Sequence, residues 1–244
     1  MIDVYRKNHE STEVHSSSRF VEIDLLRSLA ICMMVLYHTV YDLHHFLHYS
    51  IDPLSTGWWL FARTTAILFL LLVGCSFELA AAQGGNKRWK RIGTIVLCAL
   101  LITGVTYYWD PTTYIRFGIL HCIAASLILL TVLPQSKRAR IFTAAMVLGI
   151  GQATPFLHVT HEFFLPLGIT PKEFSTLDYF PLFPWFGIVL MGTLIVHLLL
   201  PAMHTYAQEH RRTVYLAALP GRHALLLYML HQPLLIGILS ATLA

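Results

Sequence analysis

Residues 31–45 read ICMMVLYHTVYDLHH, an apolar run that acquires a histidine, an aspartate one helical turn later, and then two more histidines. The run begins near residue 23 and is long enough to cross about 30 Å of bilayer hydrocarbon as a helix. An aspartate at the centre of such a helix raises the free energy of insertion by about 2.5–3.5 kcal/mol. We therefore interpret His38 and Asp42 as functional residues within a membrane-spanning helix.

The composition of the whole chain indicates an integral membrane protein. Of the 244 residues, 56% are hydrophobic and 12% are charged, whereas soluble domains carry about 25% charged residues. The apolar runs lack the alternating polarity of β-barrel strands. We therefore predict an all-α, polytopic bundle of about seven transmembrane helices. The runs cover about 23–43, 58–80, 92–108, 115–133, 141–157, 180–200 and 223–242.

The lysines and arginines between these runs predict the direction of each helix. The second, fourth and sixth connections are rich in basic residues, whereas the first, third and fifth contain only Lys172. The positive-inside rule then places the N-terminus in the cytoplasm and the C-terminus outside. We expect residues 1–20 to form a polar cytoplasmic tail and residues 21–244 to form one transmembrane domain. The basic residues of these connections account for the net charge of +4. The expected partner is therefore the lipid bilayer and not nucleic acid.

When successive residues are placed 100° apart around the first helix, Arg27, His38 and Asp42 fall on one face. A neutral imidazole can take a proton from an attacking hydroxyl or amine, and a carboxylate one turn away can orient it. The structural alternative is a polar pair that joins two helices. Two of the other histidines inside apolar runs are also candidate site residues. His121 is a second catalytic candidate at a depth similar to that of His38, and His231 is a candidate for contact with substrate.

Two arginines depart from the positive-inside pattern. Arg63 and Arg116 lie at the predicted outer ends of the second and fourth runs. Either their side chains extend to the outer headgroups, or they face a polar cavity near the outer leaflet. In the second case both are candidates for contact with substrate or with a developing oxyanion.

No metal site is predicted from the sequence. The four cysteines lie inside apolar runs without metal-ligand spacing, and buried free cysteine usually packs as a small hydrophobic residue. His44, His45 and His48 follow the first run, but no cysteine or acidic residue completes a recognisable ligand set with them. We therefore expect these histidines to be solvated unless one of them is catalytic.

Four segments of the chain carry a resemblance to a known enzyme family. They are residues 19–43 (RFVEIDLLRSLAICMMVLYHTVYDL), 117–129 (FGILHCIAASLIL), 178–192 (DYFPLFPWFGIVLMG) and 221–235 (GRHALLLYMLHQPLL). In this order they resemble the bacterial branch of the heparan-alpha-glucosaminide N-acetyltransferase catalytic-domain family, over about residues 19–238. The resemblance implies a multi-span transmembrane acyltransferase. The characterised lysosomal members move acetyl from cytosolic acetyl-CoA to the amine of glucosamine across the membrane.

The chain departs from the lysosomal members in ways that affect the expected site. Those members tend to have asparagine where this chain has His38, and their proposed catalytic histidine lies in the loop that follows. The nearest counterparts here are His45 and His48, so the base is either His38 or one of these loop histidines. The chain is also shorter and lacks their lumenal domain, which argues against heparan as the substrate.

The leading hypothesis is therefore a membrane acyltransferase of the inner (plasma) membrane. It would move an acyl group, acetyl by the resemblance, from cytosolic acyl-CoA to an amine or hydroxyl of an envelope sugar or glycan outside. The expected catalytic residues are His38, Asp42, His48 and His121. The residues expected to hold the CoA phosphates are Arg27, Lys87, Arg88 and Lys90.

Other functions remain open at this stage. A haem b or quinone-linked redox protein would use two intramembrane histidines at matching depth, His38 and His121, as iron ligands. A proton-coupled transporter is a third hypothesis, although no internal inverted repeat supports it. The sequence leaves open the identity of the acceptor and whether the chain forms a homodimer.

Overall fold

A computed structural model describes residues 20–80 and 85–243, which form helices joined by loops. Apart from Phe20, the predicted tail lies outside these residues. In the described part, seven long helices follow the seven apolar runs. They are α1 (Val21–Leu47), α2 (Thr56–Leu79), α3 (Gly85–Trp109), α4 (Ile119–Val132), α5 (Lys137–Ala153), α6 (Leu182–Glu209) and α9 (Ala224–Leu243). The connections contain the short helices α7 (Arg211–Ala217) and α8 (Leu219–Arg222) and the 3-10 turns Thr154–Phe156 and Glu162–Leu167.

Five of the described helices are long and apolar enough to cross a membrane. They are α1, α2, α3 from Lys87, α6 to Pro201, and α9 to Thr242. Helix α4 is apolar but has 14 residues, about 21 Å at 1.5 Å per residue. Helix α5 begins with the basic sequence KRAR. The all-helical architecture is confirmed for the described residues, while the number of seven spans and the sidedness of the termini remain predictions.

Helix α6 is central to the packing, because both α2 and α5 lie along it. Where α2 crosses α6, the two backbones approach each other through glycines. A Cβ on Gly74 would lie 1.9 Å from the carbonyl oxygen of Val189, and a Cβ on Gly192 would lie 2.1 Å from that of Leu71. Such close approach through small residues is a common way for helices to associate in membranes.

Helices α1 and α9 run in the same direction, side by side. The backbone N–H of Gly221, just before α9, donates to Ser28 Oγ at 2.8 Å. Ten residues further along both chains, the rings of His38 and His231 are in contact. A Cβ on Gly221 would lie 1.8 Å from the Asp24 carbonyl oxygen, so glycine is required for this approach. This contact therefore fixes the register of the two helices ten residues before the histidines.

The two ends of the bundle differ in character. We call the end formed by residues 48–55, 110–118 and 154–181 the long-loop end, and the end formed by residues 133–136 and 210–223 the basic end. At the basic end, the buried guanidinium of Arg140 contacts Glu78 at 2.5 Å, and the same carboxylate lies 3.5 Å from His197. This network joins α2, α5 and α6.

Candidate active site

Two histidines from opposite ends of the sequence meet between α1 and α9. The ring centroids of His38 and His231 are 4.8 Å apart and the rings are close to perpendicular. His38 lies nine residues before the end of α1, and so between two and three turns from the long-loop end. The sequence predicted both histidines as site residues but did not predict that they would touch.

Backbone hydrogen bonds fix the same tautomer in both rings. His38 Nδ1 lies 2.9 Å from the carbonyl oxygen of Met34, and His231 Nδ1 lies 2.6 Å from that of Tyr228. A carbonyl oxygen only accepts, so in each neutral ring Nδ1 carries the hydrogen and Nε2 carries the lone pair. Each Nε2 is therefore the nitrogen that can accept a proton.

Asp42 occupies a different place from the one expected. It was predicted to orient His38 from one turn away. Instead its carboxylate, 1% exposed, accepts hydrogen bonds from Gln232 Nε2 at 2.9 and 3.0 Å. Asp42 lies one turn beyond His38 on α1, whereas Gln232 follows His231 directly on α9, so this bond joins the two helices beside the rings. A catalytic role of Asp42 remains a prediction.

Two polar atoms beside this pair are buried and lack a hydrogen-bond partner among the described residues. They are Nε2 of His231 and Oε1 of Gln232. Both are acceptors in the hydrogen-bonding pattern given above. An unpaired buried polar atom costs about 1–3 kcal/mol, so both atoms favour a partner that donates a hydrogen bond.

A cavity of about 250 Å³ leads from the basic end toward these rings. The basic residues Arg27 and Arg91 and the phenol of Tyr228 are among its lining residues, and the wall between them is largely apolar. From the alignment of α1 with α9, Tyr228 lies level with Val35, eight residues or about 12 Å beyond Arg27. The Tyr228 ring is 5.6 Å from that of His231. The cavity therefore approaches the histidine pair from the side of His231.

The predicted phosphate ligands divide into two groups. Arg27 lines the cavity, where its guanidinium contacts Asp24 at 2.6 Å and Ser76 at 2.5 Å. Lys87 and Lys90 are exposed at the start of α3, and Arg88 lies 4.7 Å over the ring of Phe77. Arg91, at the end of the same basic segment, joins Arg27 in the cavity wall. Arg27 and Arg91 thus line the same cavity, whereas Lys87, Arg88 and Lys90 are not among its lining residues.

The two exceptional arginines have different surroundings. The Arg63 guanidinium lies between the rings of Trp59 and Trp185, 5.3 Å from each, and near the phenol of Tyr37. Such cation–π contacts hold a guanidinium within a partly buried site. Arg63 therefore has a defined position on the side of the bundle where α1 carries His38.

Arg116 instead holds the loops of the long-loop end together. Its Nε lies 3.1 Å from Glu162, and its Nη1 donates to the carbonyl oxygen of Ser175 at 2.9 Å. It also lies 4.2 Å over the ring of Tyr114. With Glu162, it lines a second, open cleft of about 310 Å³ at this end. Contact of Arg116 with substrate remains a prediction.

His121 has both ring nitrogens engaged. Its Nδ1 accepts from the backbone N–H of Gly118 at 3.2 Å, and its Nε2 lies 3.3 Å from Thr103 Oγ1. The Thr103 hydroxyl donates to the carbonyl oxygen of Ile115 at 2.7 Å, which leaves its oxygen to accept from His121. This arrangement gives His121 a structural function at the start of α4. Haem ligation by His121 would require these bonds to break, and the rings that contact His38 are those of Tyr37 and His231.

The loop histidines lie at the exposed end of α1. His48 is exposed and ends the helix in the left-handed conformation, with φ of 52°. His45 is also exposed and stacks on Tyr41 at 6.2 Å. The described residues contain no group of three or more potential metal ligands. Whether His45 or His48 takes part in catalysis is a prediction that the geometry leaves open.

Asp178 is a half-buried carboxylate that the sequence did not predict as part of the site. It accepts a hydrogen bond from the backbone N–H of Ile119 at 2.9 Å, at the N-terminus of α4. Burial raises the pKa of Asp178 to about 6 in spite of this hydrogen bond. A Cβ on Gly118 would lie 2.3 Å from its carboxylate, so glycine makes room for it. Asp178 thereby fixes the loop before α6 against the start of α4.

Gln232 and Tyr228 are the other residues that sequence reasoning missed. Both lie in the segment YMLHQPLL, and a glutamine beside an intramembrane histidine is a polar signal that periodicity alone does not pair with Asp42. Tyr228 precedes His231 by one turn and was indistinguishable from an interfacial aromatic residue. Their positions depend on contact with α1, about 190 residues earlier in the chain.

Comparison with known proteins confirms the family resemblance. The family model described as heparan-alpha-glucosaminide N-acetyltransferase, catalytic, matches residues 19–233, which is most of the chain. Neither a curated protein nor a solved structure matches the chain significantly. With five helices long and apolar enough to cross a membrane in its described part, the chain is a multi-pass membrane protein.

Proposed function

Since the chain belongs to the heparan-alpha-glucosaminide N-acetyltransferase catalytic family, we propose that it transfers an acetyl group from acetyl-CoA to an envelope sugar or glycan. The donor would bind from the cytoplasmic side, at the basic end. The acceptor amine or hydroxyl would be acetylated toward the long-loop end, at the outer face of the inner membrane. The predicted positive-inside orientation is part of this proposal.

The observation that carries the proposal is the cavity lined by both arginines and by Tyr228, whose ring is 5.6 Å from that of His231. Arg27 and Arg91 suit the phosphates of CoA, and the apolar cavity beyond them suits a pantetheine arm. Arg27 and His38 are eleven residues apart on one helix, about 16 Å at 1.5 Å per residue. An extended pantetheine arm is long enough for this distance. The thioester would then reach the level of the two imidazoles.

The chemistry assigned to His38 follows from its tautomer. Its Nδ1–H is bound to the Met34 carbonyl, so its Nε2 lone pair takes the proton from the acceptor as the acceptor attacks the thioester carbonyl. Arg63 is the cation proposed to stabilise the oxyanion that forms on the thioester oxygen. Gln232 and Asp42 hold α9 against α1 so that both rings keep their positions.

The proposal is tested by following labelled acetyl groups. Purified protein in lipid nanodiscs would be supplied with acetyl-CoA carrying a labelled acetyl group and with an extract of envelope lipids and glycans. We expect label in a sugar-containing fraction, identified by mass spectrometry, together with loss of that acetylated molecule from a deletion strain. Release of CoA without any labelled acceptor would contradict a transferase function.

The orientation predicts a distinct pattern of chemical labelling. We expect Thr112→Cys and Ser175→Cys, both exposed at the long-loop end, to react in intact cells with a membrane-impermeant thiol reagent. Lys137→Cys, exposed at the basic end, should react only after the cells are opened. The native cysteines all lie within helices, so the parent chain serves as the unlabelled control. The opposite pattern would reverse the proposed sides of donor and acceptor.

Arg63 and Arg116 form a matched pair of variants. We expect Arg63→Gln to lower turnover by about 10²–10³-fold, the loss typical of removing one oxyanion ligand, with little change in expression. Arg116→Gln should mainly loosen the loops that it joins and change turnover less. The measurement is steady-state transfer with thermal stability of each variant. Full turnover in Arg63→Gln would place this residue with arginines that only contact lipid headgroups.

A further inference from the structure

The histidine pair has a feature that a single base does not explain. The proposed acetyl transfer needs a group that takes a proton from the acceptor, and His38 meets this need. His231 lies against His38, in the same tautomer, with a buried Nε2 that lacks a partner among the described residues. A second imidazole in this state has no structural requirement beyond its Nδ1–H bond to Tyr228.

The two imidazoles differ in what lies next to them. His231 touches Tyr228, which lines the cavity assigned to the pantetheine arm. His38 touches Tyr37, on the side of α1 that interacts with Arg63. His231 is therefore the ring on the side of the donor. His38 lies between His231 and the side of the site that holds Arg63. The leaving group of the reaction, the CoA thiolate, would form beside His231.

We propose that His231 passes the proton from His38 to the departing thiolate of CoA. This inference rests on the proposed acetyl transfer. The acceptor nitrogen or oxygen forms a bond to the thioester carbon, and its proton goes to Nε2 of His38. The carbon–sulfur bond breaks, and its electron pair stays on sulfur. Once His38 is charged, the two rings, whose centroids are 4.8 Å apart, move to within hydrogen-bond distance, and the proton passes from Nε2 of His38 to Nε2 of His231. From there it passes to the thiolate, which leaves as the CoA thiol. No oxidant, reductant or metal is needed, and both rings return to their neutral state.

The arrangement of hydrogen bonds limits proton movement to the two Nε2 atoms. Both Nδ1–H groups are bound to backbone carbonyls one turn earlier in their own helices. Neither Nδ1 can then exchange a proton without breaking its bond. The bond between Gln232 and Asp42 joins the helices beside the rings and keeps the rings in contact. His231 is thus assigned to the leaving group, a function distinct from that of His38.

The experiment varies the leaving group of the donor. Protein in nanodiscs would be given glucosamine as the acceptor probe and either acetyl-CoA or S-(4-nitrophenyl) thioacetate, whose thiol is far more acidic and departs without a proton. The variant is His231→Asn, because the asparagine amide can retain the hydrogen bond to the Tyr228 carbonyl while Nε2 is removed. His38→Asn is the matched variant on α1, and His44→Asn, exposed on the same helix, is the control.

We expect His231→Asn to lower transfer from acetyl-CoA by about 10²–10⁴-fold and transfer from the aryl thioester by less than about threefold, after subtraction of the reaction without protein. His38→Asn should lower transfer from both donors, and His44→Asn should change neither. Equal losses with both donors in His231→Asn would overturn the relay and leave the acetyl transfer intact. Absence of transfer from acetyl-CoA by the unmodified protein, both to glucosamine and to the envelope extract, would overturn the proposed function, and the relay with it.

Discussion

Truncation of His38 to alanine is expected to lower acetyl transfer by about 10²–10⁴-fold, the effect typical of removing a general base. The proposed binding of CoA should persist, because Arg27 and Arg91 lie about three turns away along the bundle. Asp42→Asn should cost less than His38→Ala, because the imidazole and its bond to Met34 remain. The measurement is single-turnover transfer from labelled acetyl-CoA, with CoA affinity determined separately by calorimetry.

The loop histidines provide the decisive comparison for this result. His45→Ala and His48→Ala remove exposed imidazoles from the end of the same helix, at the position where the lysosomal relatives have their proposed catalytic histidine. We expect near-normal transfer in both variants. Normal turnover in His38→Ala, together with an inactive His45→Ala or His48→Ala, would assign the base to the loop and contradict the assignment to His38.

The helices could be predicted from the sequence because they depend on local properties. Apolar length and the positions of basic residues determine where each run begins and ends. For α1 and α2 the predicted limits of 23–43 and 58–80 differ from Val21–Leu47 and Thr56–Leu79 by four residues or fewer. The largest differences lie at polar helix ends such as the basic start of α3, where helical hydrogen bonds continue beyond the apolar segment.

The candidate site was only partly predictable, because its contacts are not local. His38 and Asp42 share a face by periodicity alone, and this suggested that one orients the other. The structure instead pairs Asp42 with Gln232 and His38 with His231, two contacts between helices at opposite ends of the chain. A single sequence contains no information on which helix lies beside α1. The register was set by the Gly221–Ser28 contact, which no pattern of hydropathy reveals.

His121 is a second residue whose function could not be assigned from the sequence alone. Its place in an apolar run suggested a catalytic or haem-binding residue. Its hydrogen bonds to Gly118 and Thr103 hold the start of α4, and a catalytic role for His121 stays a prediction. A histidine in an apolar run thus has two meanings, and the distinction depends on whether its second nitrogen has a partner. Nε2 of His231 lacks one among the described residues, whereas that of His121 is engaged.

The proposed mechanism also depends on the packing that holds the helices in place, and the crossing of α2 and α6 is its most sensitive point. Apolar surface gives little driving force between helices in lipid, so stability depends on close backbone contact and interhelical hydrogen bonds. At this crossing the obstacle to a larger residue is backbone: the Leu71 carbonyl oxygen faces Gly192, and the Val189 carbonyl oxygen faces Gly74. Backbone atoms cannot rotate away as a side chain can, so any added atom must move a whole helix.

We therefore expect Gly192→Ala to destabilise the protein by about 3 kcal/mol, the upper part of the usual range for overpacking. This corresponds to a decrease in Tm of about 6–12 °C for a chain of this size. The matched control is Gly93→Ala in α3, where a Cβ meets nothing within 4 Å; there the higher helix propensity of alanine should stabilise by up to about 1 kcal/mol. Thermal unfolding in detergent measures both changes, which should have opposite signs. An unchanged Tm in Gly192→Ala would mean that α2 and α6 lie further apart than described, and would remove the basis for a rigid bundle around the histidine pair.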